Sequence, residues 1–376
     1  MAKSRAYADA NPRYWQGYSN LQHVKHALIR EYLNGWFPKL GLTARRILYI
    51  DTHAGRGRHD TGDLGSPLVA LKTLLSHKFR DRILQRSEVE FIFLERDSAN
   101  LRQLQAELSE YQPSLPRKVT VNPQAGDFQE VLEATLQHLT DTQGKMAPSF
   151  IFVDPYGFNI PYPVLARFMG FSGVELFINV MWRYLDMVIA QARADLDRAT
   201  PLDFVFGPTW RDRIVSDDFE TRCTEALSLI KDIVRSTWAT SVRMLGHNRA
   251  TEYVLLHLSN HPAGRDLMKD VMWKVCPASG QTFVARKTDD PAQGILLDLD
   301  PDLRPLEREV VAAISRCQMR WQELYTKFRD TSWLNSHVNK VVRELRARGR
   351  LVATDYRPPF SAKSNPLLTL KEDDSP

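Results

Sequence analysis

Four acidic side chains stand at the ends of apolar runs, two of them beside a break into glycine or proline: Asp51 in "RRILYIDTHAGRG" and Asp154 in "SFIFVDPYGF" have that break, Glu95 closes "VEFIFLE" and Asp127 lies in "NPQAGDF". A carboxylate at such a break can accept from hydroxyl, amine or backbone N–H donors. Glycine beside it lets the backbone take positive φ and approach a ligand closely. In "DTHAGRG" that freedom belongs to Gly55 and Gly57, with Ala54 leading into the turn. Asp51 then either faces an ammonium group or orders the loop by accepting its N–H groups. Glu95 matches the acidic residue that takes ribose hydroxyls at the end of a second strand. Asp127 followed by Phe128 suits an adenine, the carboxylate accepting from the exocyclic amine and the ring lying alongside.

The spacing is not a dinucleotide fingerprint. Arg58 and His59 follow Gly57, and Glu95 lies much further along than the ~20 residues of that motif. A phosphate-rich cofactor also prefers a helix N-terminus without an adjacent carboxylate. The set fits S-adenosylmethionine better than NAD, with a degenerate, ligand-free pocket as the alternative. Asp154-Pro155-Tyr156-Gly157 is similar to the Asp/Asn/Ser-Pro-Pro-aromatic loop of methyltransferases that act on exocyclic amino groups. There the polar side chain orients the amine and the aromatic ring stacks on a base taken out of its helix. Here one proline stands alone and Tyr156 comes one position early. The plain alternative is that Asp154 caps the sheet edge while Tyr156 packs under the next helix.

The elements that position these residues follow from periodicity. "NLQHVKHALIREYLNGWFPKL" carries Val24, Leu28, Tyr32, Leu33 and Trp36 at helical spacing. After the strand at 46–50 and the glycine loop, "GSPLVALKTLLSH" reads as a helix with Ser66 as its cap and Pro67 at its first position. "VEFIFLE", "KVTVN", "SFIFVD" and "VELFINVM" read as strands, alternating with helices at "DSANLRQLQAEL", "DFQEVLEATLQHL" and "YPVLARFMG". Such alternation without tight hairpins implies crossover units and a doubly wound, mostly parallel sheet with the acids at its carboxyl edge. "TEYVLLHLSNH" reads as a late strand of that sheet, with helix "RDLMKDVMWKV" behind it. Trp182 and Arg183 are placed on the rim of the cleft, as base or phosphate contacts or as packing. His257 and His261 have no third ligand nearby, so no metal site is expected.

Composition sets the outer bounds. The chain has 376 residues, 43% hydrophobic and 25% charged, as in ordinary globular proteins. No apolar run reaches the ~18 residues of a membrane span, and the N-terminus lacks a signal core, so a cytoplasmic location is expected. Three scattered cysteines point to reduced thiols and away from zinc. A net charge of +5 permits a nucleic-acid partner without demanding one.

A boundary is expected in "DDPAQGILLDLDPDLRP". Beyond it, "LEREVVAAISRC", "RWQELYTKFRD" and "TSWLNSHVNKVVRELRARGR" read as three helices, the last capped by Thr331 or Ser332, and "LVATDYRPPF" as strand and wing. That is the winged helix-turn-helix layout, whose third helix commonly enters a major groove. Asn335, Asn339, Lys340, Arg343 and Arg346 are its polar positions, with Arg348 and Arg350 flanking the wing. Such residues meet phosphate first; the same face can equally mediate protein contact.

Together, "KHALIREYLNGW", "YIDTHAGRG…GSP", "FIFVDPYGF" and "YVLLHLSNHPAGRDLMKDVMWKV" resemble the three-Cys-motif partner family over most of the chain, from about Tyr14 onward. The resemblance implies a Rossmann-like, class I methyltransferase-type domain followed by a winged helix. It also implies association with a three-cysteine, radical-SAM-like protein in nucleic-acid repair or modification. The family's pocket pattern maps onto Asp51, Gly55, Gly57, Glu95, Asp154, Pro155 and Gly157, with His53 standing where an aromatic residue is expected. The resulting division is an N-terminal helical segment (1–44), the α/β domain (45–300) and the winged helix with its tail (301–376). Two functions stay open: methyl transfer from S-adenosylmethionine to a nucleic-acid amino group, or a non-catalytic adaptor of the same shape that docks DNA and a partner protein.

Overall fold

The computed structural model describes residues 15–285 and 301–371. Most of the predicted boundary segment and the last residues of the tail lie outside these. In chain order the elements are α1 Asn20–Gly41, β1 Arg46–Asp51, α2 Ser66–Leu75, α3 Arg80–Arg86, β2 Glu88–Glu95, α4 Ser98–Ser109, β3 Val119–Ala125, α5 Phe128–Asp141, β4 Ser149–Val153, α6 Tyr162–Met169, β5 Val174–Val180 and α7 Trp182–Ala194. They continue with α8 Thr200–Phe206, α9 Phe219–Val234, β6 Trp238–Leu245, β7 Thr251–Ser259, α10 Pro262–Val275 and β8 Thr282–Val284. A second unit takes Met272–Gln281 and the residues from 301 onward.

The first unit is a mixed α/β domain on one sheet of eight strands in the order β3-β2-β1-β4-β5-β7-β6-β8. The pairings of β3, β2, β1, β4 and β5 are all parallel. Then β7 enters antiparallel between β5 and β6. Every residue of β4 and β5 is buried; β4 reads as an apolar run after Ser149, while β5 also buries Glu175 and Asn179. Each fully buried apolar side chain contributes about 1.5–3 kcal/mol, so these central strands anchor whatever follows them. From β1 the chain winds outward to β2 and β3, then returns to the other side of β1 to lay down β4 and β5. The order reverses between β1 and β4, and outside the carboxyl ends of strands at such a reversal lies the crevice in which doubly wound sheets bind ligands.

Two helix starts differ from expectation. Gly65 is the cap of α2, Ser66 is already helical, and no side chain caps that end. Asp127, assigned to an adenine, caps α5, its Oδ1 accepting the Gln129 N–H at 2.9 Å.

In the second unit the elements are α11 Arg304–Arg316, β9 Met319–Arg320, α12 Trp321–Arg329, α13 Asn335–Ala347, β10 Leu351–Thr354 and β11 Leu367–Leu370. The three strands form an antiparallel sheet in the order β10-β11-β9. Val338, Val341, Val342 and Leu345 make the buried stripe of α13, packed with Leu306, Val310, Trp321, Leu324, Phe328 and Leu368. Helix α13 begins after Leu334, later than expected; Thr331 instead donates to the Phe328 carbonyl at 2.7 Å in the preceding turn. Trp273, at the end of α10, belongs to this unit. Its indole stacks on Trp333 with centroids 5.6 Å apart and donates to the Ser332 carbonyl at 2.8 Å.

Candidate functional site

The loop after β1 is stitched across the crevice from both sides. The Thr52 N–H donates to Phe152 of β4 at 3.0 Å, and the Ala54 N–H to Leu94 of β2 at 2.9 Å. Gly55 then turns at φ +64°, and a Cβ there would come within 2.5 Å of the Trp15 indole. At Gly57, φ is +86° and a Cβ would press on Leu104 at 2.9 Å. Both positions therefore require glycine for conformation and for space. Glu95, only 7% exposed, pegs the loop: Oε2 accepts the Gly55 N–H at 2.7 Å and Oε1 the Asp97 N–H at 2.8 Å.

Asp51 is fully buried, and of its two expected roles the structure gives it loop ordering: Oδ1 accepts the His53 N–H at 3.2 Å. Its Oδ2 is buried without a hydrogen-bond partner. Burial, more than any neighbour, lifts its pKa to about 7; the Ser66 hydroxyl, the His53 N–H and Lys25 pull it down, and Asp154 adds to the rise. Between about pH 4 and pH 7 the folded protein therefore holds a proton that the unfolded chain has released, so stability falls as pH rises through that window. Asp51→Asn has nothing there to titrate. Relative to it, the wild type is expected to lose up to about 4 kcal/mol between pH 4 and pH 8 in urea unfolding; parallel curves for the two proteins would contradict this protonation.

His53 and Phe128 form an aromatic step, with ring centroids 4.7 Å apart. Burial pushes the His53 imidazole down to about 4, against the pull of Asp154 and Asp127, so it is neutral at physiological pH. Phe128 is itself 8% exposed and joins the core beneath, so only part of its ring faces outward. Asp127, besides capping α5, has Oδ2 3.8 Å from the exposed Arg96. The structure places Ala54, Gly55 and Gly57 in the loop after β1, Glu95 at the end of β2, and Asp127 and Phe128 at the start of α5.

Asp154 follows β4 and is held on both oxygens. Lys25 Nζ of α1 lies 2.5 Å from Oδ2, and Asn179 Nδ2 of β5 donates to Oδ1 at 2.6 Å. Tyr156 is 39% exposed, with Tyr184 of α7 6.5 Å away and 42% exposed. The alternative in which Tyr156 packs under the next helix does not hold. Of the two readings of Trp182, the structure supports packing: it is fully buried against Phe219, and Arg183 pairs with Glu252 at 2.8 Å.

The N-terminal helical segment was expected, but its contacts with the glycine loop were not foreseen. Trp15 covers Gly55 and lies under the Arg56 guanidinium at 4.8 Å. The Tyr18 hydroxyl meets His26 Nδ1 at 2.5 Å, and its ring packs against His59. The signal was present in "RYWQGYSNLQHVKH", where aromatic and basic residues crowd together. His257 has a plain structural role: with Tyr32 it donates to Glu175, the histidine contact being 3.0 Å, in a buried network.

Of the residues assigned to nucleic acid, Lys340, Arg343 and Arg346 lie exposed along α13. Arg346 covers the Tyr356 ring at 4.3 Å. Asn339 does not join them, because its Oδ1 accepts the Trp321 indole N–H at 2.8 Å. Arg348 is bound by Glu307 through two contacts of 3.0 Å, and Arg350 lies 3.8 Å from the same carboxylate.

No protein-family model and no curated protein matches the chain. Among solved structures it is similar to protein LPL1258 of Legionella pneumophila, of family DUF519, at 15% identity and TM-score 0.37, covering 66% of this chain and 91% of that one. It is also similar to an O-methyltransferase from Bacillus cereus in complex with SAH, at 14% identity and TM-score 0.30, covering 61% and 80%. A human methyltransferase 10 domain containing protein matches at 13% identity and TM-score 0.28, covering 62% and 82%. Likenesses this partial carry no argument about activity. Among the described residues, no helix is long and apolar enough to cross a membrane.

Proposed function

We propose that the first unit is a Rossmann-like methyltransferase domain that binds S-adenosylmethionine and methylates an amino group of nucleic acid. The observation that carries this reading is the Asp154 carboxylate, aimed by Lys25 and Asn179 at the strand-order reversal and flanked by exposed Tyr156 and Tyr184. The residues around it fit the cofactor. Carboxylates at the strand ends favour a sulfonium and an adenosine over a polyphosphate, and the neutral His53 imidazole, tilted 52° to the Phe128 ring, offers an apolar surface beside them. Ala54, Gly55, Gly57 and Glu95 hold the amino-acid and ribose end, and Asp127 with Phe128 the adenine end. When bound, S-adenosylmethionine supplies the electrophilic methyl group. The protein's own contribution is positioning: Asp154 and the Pro155 carbonyl accept the acceptor's N–H groups, while Tyr156 stacks on its ring. A nitrogen nucleophile needs no strong base before attack. The test is transfer of radiolabelled methyl groups to duplex DNA, single strands and transfer RNA. Incorporation into none of them would overturn the reading.

The second unit we read as a winged helix that grips nucleic-acid backbone through Lys340, Arg343 and Arg346, the exposed cations of α13. Arg343→Ala is expected to weaken binding uniformly across sequences and to reduce the salt slope by about 1. Asn339→Ala is expected to leave the salt slope unchanged but to lower stability by about 1–3 kcal/mol, because it strands the Trp321 N–H. Fluorescence anisotropy over a salt series and urea unfolding separate the two effects. The resemblance of the sequence alone leads us to propose a three-cysteine, radical-SAM-like protein as partner, to be sought by co-purification.

One observation favours the non-catalytic adaptor: Trp15 and Lys25 already lie against Gly55 and Asp154, where ligands are assigned. An adaptor of that kind takes up no S-adenosylmethionine.

A further inference from the structure

Lys25 is almost sealed, its side chain 5% exposed, and it ends 2.5 Å from a carboxylate that is itself 13% exposed. Charges so poorly screened interact far more strongly than surface pairs. The lysine also arrives on a rigid support. Helix α1 starts at a reciprocal cap, with the Ser19 N–H donating to Gln22 Oε1 at 2.8 Å and the Gln22 N–H to Ser19 Oγ at 3.3 Å. The neighbours of Lys25 on both sides, Val24 and His26, are buried too. A lysine on the inward face of an otherwise amphipathic helix is expensive to bury, so its pairing with Asp154 is a specific feature of this fold. The second oxygen of Asp154 is fixed independently, by Asn179 at 2.6 Å from the adjacent strand. Asp51 is the other carboxyl that feels Lys25, but it is fully buried on β1 and its bonded oxygen serves the loop.

We infer that Lys25 is a positioning residue: from α1 it holds the Asp154 carboxylate in one direction, so that the carboxylate meets the acceptor's N–H without first reorganising. The inference rests on the methyltransferase reading for its consequence in turnover, but not for the pairing itself. Neither the strand-end pattern nor the "DPYG" loop identifies Lys25.

Two measurements test it. In the first, Lys25→Ala is assayed for methyl transfer on the acceptor that the wild type modifies. The expected result is a kcat about 100-fold lower with S-adenosylmethionine affinity little changed, and partial recovery on adding propylamine, which can refill the cavity with an ammonium. A purely structural lysine would lower affinity and kcat together and show no rescue by the amine; that outcome, or wild-type turnover, overturns the inference. In the second, Lys25→Met, Asp154→Asn and the double variant are compared by urea unfolding. The expected result is a coupling of at least about tenfold in the unfolding constant, the double variant being less damaged than the single effects predict. Additive effects overturn the pairing. Should the wild type modify no acceptor while the coupling is present, the methyltransferase reading fails and the Lys25–Asp154 assignment stands.

Discussion

Glu95→Ala is expected to abolish S-adenosylmethionine binding, lowering affinity by at least about 100-fold in calorimetric titration. The residue acts twice at the same place. In the proposed complex it accepts from the ribose, and in the protein alone it secures the glycine turn to the end of β2 through the Gly55 and Asp97 N–H groups. Truncation strands those donors, each unpaired buried donor costing about 1–3 kcal/mol, and frees a loop whose two glycines hold positive φ. Lost pre-organisation adds directly to the lost contact. Glu95→Gln keeps one acceptor oxygen and should fall between the two. A folded Glu95→Ala protein that binds like the wild type would remove the cofactor assignment from this rim.

The second large effect is at Asp154. Asp154→Ala is expected to lower methyl transfer by about 10²–10³-fold while S-adenosylmethionine affinity stays near the wild-type value. The split follows from position: Glu95 closes β2 on the loop side of the crevice, whereas Asp154 follows β4 beside the exposed tyrosines. The same substitution leaves the Lys25 ammonium buried without its carboxylate, so a stability loss of about 3–5 kcal/mol is expected alongside. Circular dichroism at the assay temperature separates unfolding from lost chemistry. Equal loss of binding and transfer in a folded variant would move Asp154 from the acceptor side to the cofactor side.

β4 and its acidic end were legible because a parallel strand buried on both faces cannot alternate. It shows as a continuous apolar run, and the first polar residue after it marks the sheet edge. For the same reason β6 was missed: Trp238–Leu245 is largely half-buried and reads as mixed polarity. Lys25 and His26 were invisible to a helix-stripe reading, which assigns consecutive charged residues to solvent, whereas here the helix is covered by the strand ends as well as by its apolar neighbours. Asp127 was given to a ligand because capping and ligand binding call for the same residue type in the same place. Asn339 shows the converse limit. On a cationic helix its amide looks like part of the binding face, and only the position of Trp321 shows that it is engaged within the unit. Sequence pattern located the carboxyl edge of the sheet. It could not distribute the lone pairs along that edge.

The most direct test is calorimetric titration of the wild-type chain with S-adenosylmethionine. A single saturable site that weakens sharply in Glu95→Ala is the predicted result. No heat of binding from a folded wild-type protein, at any cofactor concentration reached, would contradict the claim that this crevice is a methyltransferase's cofactor site.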